Sequence, residues 1–164
     1  MPSLRTTVWV AWGLLILGGT FVLGCDGSGS KRASFFERLA DTTWAIERLE
    51  GPGIAPNLLD QRYTRVRVDF DDQNDGGTYR ITGRFSSDST EVLAAGRIVL
   101  PGDDLLQMAS GFGRRGPVTW TFEFEASRAI FAVRAGSQTF LRTLFPNTTW
   151  SPQAVTMTLA PSDQ

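Results

Sequence analysis

With no histidine and one cysteine among 164 residues, few side chains in this chain can do chemistry. Neither a Ser-His-Asp nor a Cys-His site can be built, and a His/Cys zinc cage is equally out of reach. Carboxylates, arginines, hydroxyls and the thiol of Cys25 remain. Three groups of them have suggestive spacing. Arg65, Arg67 and Arg84 could gather on one face to meet an anion, a lipid head group or an acidic partner. The ordinary alternative is a solvated outer face, neutralised by carboxylates on the next strand. Asp71-Asp72-Gln73-Asn74-Asp75-Gly76 places oxygen donors at calcium-loop spacing. Thr82 stands where that loop needs a bidentate glutamate, and the flanks read as strands, so a polar hairpin turn explains it better. No metal is expected. Gly111-Phe112-Gly113-Arg114-Arg115-Gly116 could wrap a phosphate, but the Lys-Ser/Thr of a P-loop is missing and no helix is expected after it. It reads as a loop whose Phe112 can cover a cavity mouth.

The acidic residues fall mainly in turns or on wet faces, where burial does not tune a pKa. The chain is therefore not expected to be an enzyme or to carry a cofactor. A formal charge of -1 gives no electrostatic case for nucleic acid.

The elements that must position these residues read mostly in period two. Thr64, Val66, Val68 and Phe70 alternate with Tyr63, Arg65, Arg67 and Asp69. Val118, Trp120, Phe122 and Phe124 alternate with Thr119, Thr121, Glu123 and Glu125. Val155, Met157 and Leu159 alternate with Thr156 and Thr158. One apolar and one wet face mean antiparallel sheet. Weaker strand signals lie at 43–49, 78–85, 92–100, 105–110, 129–134 and 139–144, and Phe35, Phe36 and Leu39 suggest a short N-terminal helix. About eight or nine strands joined in sequence favour an all-β, antiparallel up-and-down barrel, since closure removes exposed edges. Setting Phe70 against Tyr79 aligns Val68 with Ile81, Val66 with Gly83, Asp69 with Arg80, and Arg65 with Arg84.

The start of the chain has a different composition. Arg5 is followed by an uncharged run from Val8 to Gly24, 17 residues long. A positive region ahead of an apolar core reads as a secretory signal, with an uncleaved membrane anchor as the alternative. The run ends Val22-Leu23-Gly24-Cys25. This resembles the lipobox of bacterial lipoprotein signals. The resemblance implies a diacylglyceryl thioether on Cys25, cleavage before it and an acylated, palmitate-type amino terminus. Each buried methylene contributes about 0.8 kcal/mol, so two or three such chains hold a protein to a membrane. The aspartate at 26 resembles the inner-membrane retention signal of enteric lipoproteins, a rule that differs between bacterial groups. Residues 25–33 are a Gly/Ser-rich tether, and 34–160 form the expected domain.

Within that domain, three local patterns resemble the lipocalin-like domains of small bacterial lipoproteins. They are Leu39-Ala40-Asp41-Thr42-Thr43-Trp44, the hairpin from Phe70 to Gly77-Thr78-Tyr79, and the hairpin from Gly96 through Gly102-Asp103 to Leu105. The resemblance implies a barrel with an interior. Trp44, Phe70, Tyr79, Trp120, Phe122, Phe124 and Phe131 are the candidates to line it, and Gly83 and Gly96 would leave room beside them. The expected protein is an envelope lipoprotein, anchored to membrane lipid through Cys25, whose barrel binds a small apolar or amphipathic molecule. The alternative is a packed barrel serving as an envelope assembly or protein-interaction module through its outer face.

Overall fold

A computed structural model describes residues 37–73, 76–102, 104–151 and 154–162. The expected signal segment 1–24, Cys25 and the expected tether 25–33 lie outside these residues, as do Phe35, Phe36, Asn74 and Asp75.

Eight strands form the fold: β1 (Trp44–Glu50), β2 (Arg65–Gln73), β3 (Gly76–Arg84), β4 (Thr90–Val99), β5 (Leu105–Met108), β6 (Val118–Glu125), β7 (Arg128–Ala135) and β8 (Thr156–Pro161). Each pairs antiparallel with its successor in sequence, and β8 returns to β1, so the sheet is a closed up-and-down barrel. The β2–β3 register is the one alternation dictates: Phe70 faces Tyr79, Val68 faces Ile81, Val66 faces Gly83, Asp69 faces Arg80 and Arg65 faces Arg84. The strands run to Gln73 and from Gly76, so Asp71, Asp72 and Gln73 of the acidic stretch lie in a paired strand. Asp69 and Arg80 stand opposite each other, although among the described residues no ion pair joins them.

One expected strand is a helix. Residues 139–144 belong to α1 (Ser137–Leu144), which follows β7. Its buried residues are Ser137, Phe140, Leu141 and Leu144. Those positions step i, i+3, i+4, i+7 and form one helical stripe. Gly136 starts the helix with φ 86°, a left-handed conformation, and a Cβ there would lie 2.6 Å from the Pro117 carbonyl oxygen. No side chain caps this N-terminus.

Both barrel ends are closed. At the end where β1 finishes, α1, Tyr63 and Phe112 fill the opening. Phe140 meets Trp120 edge-on at 4.8 Å, and Phe112 stacks on Tyr79 at 5.8 Å. At the end where β1 begins, residues 37–40 form a helical turn with Leu39 fully buried. Trp44 Nε1 donates to the Leu39 carbonyl at 3.0 Å, and Arg38 lies 3.8 Å over the Phe124 ring. This cation–π contact fastens the plug to β6.

Candidate functional site

The strand alternation carries the seven interior candidates to the inside of the sheet. Trp44, Phe70, Tyr79, Trp120 and Phe131 are buried, and Phe122 and Phe124 are half-buried. Phe131 is their hub. It lies 6.3 Å from Phe70 with the rings nearly parallel, 6.3 Å from Trp120 edge-on and 6.2 Å from Phe122. Trp44 and Phe124 pair at 6.2 Å near the opposite plug. Such ring pairs contribute about 0.5–1.5 kcal/mol each beyond the area they bury.

The room expected beside Gly83 and Gly96 is taken. A Cβ on Gly83 would come within 2.6 Å of the Tyr63 ring. One on Gly96 would come within 2.2 Å of the Ser110 carbonyl oxygen. These glycines allow close packing on the side a Cβ would take, and Gly96 also borders a groove on the sheet. Alternation had set Tyr63 on the wet row with Arg65 and Arg67. It is 3% exposed, because β2 begins only at Arg65 and Tyr63 turns inward before the strand starts. Its hydroxyl donates to the Leu144 carbonyl and accepts from Arg62 Nε at 2.9 Å. Burial raises the Tyr63 phenol pKa, with Arg62 opposing the rise. Burial also pushes Tyr79 well above the usual phenol range, and its hydroxyl donates to the Ser110 carbonyl. Two interior donors lack a partner among the described residues: the buried Trp120 Nε1 and Trp150 Nε1.

The outer face carries the charged groups. Arg65 and Arg67 on β2, Thr82 and Arg84 on β3, Thr90 on β4 and Asp88 in the β3–β4 turn line a groove of about 300 Å³. Arg84 pairs with Asp88 at 2.9 Å, both largely exposed. Arg67 behaves differently. Its Nε is sealed from water and has no hydrogen-bond partner among the described residues. Among the described residues no carboxylate from a neighbouring strand pairs with Arg67. β1 sets Ala45 opposite Arg67, and the Glu47 carboxylate is held by Arg128 at 2.8 Å. A second, wider groove on the same sheet holds Asp69, Arg80 and Arg97. The Gly111–Gly116 loop contains a 3-10 turn (Gly113–Arg115) and leads into β6, with Phe112 folded over the barrel end.

A scan against protein-family models finds no match for this chain, and neither does a search of curated proteins.

Proposed function

We propose that this protein is a bacterial cell-envelope lipoprotein, held to a membrane by acyl chains on Cys25, whose packed barrel engages its partner through the outer face. The outer-face reading is carried by the filled interior. Five of the seven inward aromatics are at most 4% exposed, Tyr63 and Ser110 occupy the space beside the two glycines, and both ends are plugged. A ligand would have to displace packed rings, each loss of a large buried side chain costing on the order of 3–5 kcal/mol. The anchoring half rests on the sequence Val22-Leu23-Gly24-Cys25.

Mass analysis of the full-length product made in a bacterial host tests the anchor. The expected species begins at Cys25 and carries the added mass of acyl chains. An unmodified thiol on a chain retaining residues 1–24 would refute it. Titration with a fluorescent fatty acid tests the barrel, and no saturable binding is expected. A second reading, with a small amphipathic molecule inside the barrel, is favoured by Trp120 Nε1, an unpaired donor that a polar ligand atom could satisfy. Saturable fluorophore binding that is lost in Trp120→Phe would favour it over the first.

A further inference from the structure

We infer that the groove formed by Arg65, Arg67 and Arg84 is a binding site for a phosphate group. The inference rests on the outer-face reading and names the chemistry that face would recognise. Three guanidinium groups converge on one groove against a single carboxylate, Asp88, leaving it net positive. Asp88 engages only Arg84, so among the described residues Arg65 and Arg67 have no counter-charge in contact.

Arg65 and Arg67 carry the argument furthest. The register sets Arg67 between Ala45 on β1 and Thr82 on β3, neither of them charged. The sealed Nε of Arg67 is out of reach of a solute. An anion in the groove would meet the exposed Arg65 and the open part of Arg67, and supply the counter-charge both lack. A tetrahedral phosphate has enough oxygens to meet more than one guanidinium fork, whereas a lone carboxylate is matched by one. The hydroxyls of Thr82 and Thr90 line the same groove and can add neutral donors. About 300 Å³ is at the small end of ligand sites and suits a phosphate with a short ester rather than a large cofactor. The phosphate could come from a free ester or from the head group of an anionic lipid.

The test uses the full chain in non-ionic detergent at low ionic strength, with calorimetric titration of three probes. These are inorganic phosphate, glycerol 3-phosphate, and mixed micelles containing phosphatidylglycerol. Saturable, salt-sensitive binding is expected, weakened roughly tenfold or more in Arg67→Gln and in Arg65→Gln. Arg128→Gln, on a different part of the outer face, should bind as the parent does. Binding of all three probes assigns a free phosphate ester as sufficient, and binding of the lipid micelles alone assigns the head group. Silence with every probe overturns the site, as does undiminished binding by a folded Arg67→Gln. Arg65→Gln, at an exposed position, carries the test if Arg67→Gln does not fold. The mass of the Cys25 species is read separately, so loss of the groove leaves the anchoring proposal standing.

Discussion

At the scale of single residues, the two tyrosines report on the barrel's integrity, because they are the only two in the chain. Both phenols are raised above their ordinary value by burial. In the unfolded chain each ionises near pH 10. Between that value and the raised folded values, the unfolded state releases protons that the folded state keeps. The stability they contribute is therefore complete below about pH 10 and declines as pH rises further. Phenolate absorbance should stay low in the folded protein and rise together with the loss of near-ultraviolet circular dichroism. Tyrosinate appearing near pH 10 in a still-folded protein would contradict the burial of both rings. Tyr79→Phe should shift alkaline unfolding to higher pH. Gly96 makes a second prediction. A methyl group there meets the Ser110 carbonyl at 2.2 Å, and a backbone atom yields less readily than a flexible side chain. Gly96→Ala should cost about 1–3 kcal/mol in denaturant unfolding. A neutral result would mean that the β5 side of the barrel can move aside.

Among the elements, β2 and β3 were legible residue by residue, and α1 was not. The hairpin alternates without a break from Thr64 to Phe70, and one cross-strand match at Phe70 and Tyr79 then determines every other pair. In 139–144, Thr139 and Thr143 are β-branched and Phe140 is aromatic, which favours a strand on local grounds. Tertiary burial decides the matter: Phe140, Leu141 and Leu144 can all reach the barrel opening only from a helix. The helix satisfies Thr143 internally, its hydroxyl donating to the Thr139 carbonyl at 2.9 Å. The plugs at both ends come from segments between or before strands, and their own spacing does not say which distant strands they pack against. That is why the inward row of aromatics could be read while the filled space beside Gly83 could not. If α1 is a structural plug, Phe140→Ala should cost about 3–5 kcal/mol by removing the ring against Trp120. It should also open a cavity at that end, read as a gain in binding of an apolar dye. A stability loss below about 1 kcal/mol would mean that Phe140 is dispensable to the closure.

Across the whole molecule, the seams between strands are unequal. β2 and β3 pair along nine residues each, whereas β1 and β2 pair only at Trp44 with Val68 and Ala45 with Arg67. β4 and β5 pair only at Ile98 with Met108 and Val99 with Gln107, extended by Ala109 N–H donating to the Arg97 carbonyl. Closure of the ring was foreseeable, since one-sided strands in sequence leave two edges that only each other can cover. The short seams were not, because alternation fixes which way a side chain faces and says nothing about where two strands part. Local opening follows the seams with fewest ladder bonds. The backbone amides of Trp44, which faces β2, and of Val99, which faces β5, should therefore exchange with deuterium sooner than those along the β2–β3 ladder, at neutral pH and below the global unfolding limit. The β1–β2 seam also holds Arg67, the arginine with the sealed Nε. Opening there would uncover that nitrogen to water. A phosphate group bound to the groove of the closed barrel would, by mass action, slow exchange at Trp44 while leaving Val99 unchanged. Equal slowing at both seams would show general stabilisation instead, and would separate the arginine groove from the motion of the barrel.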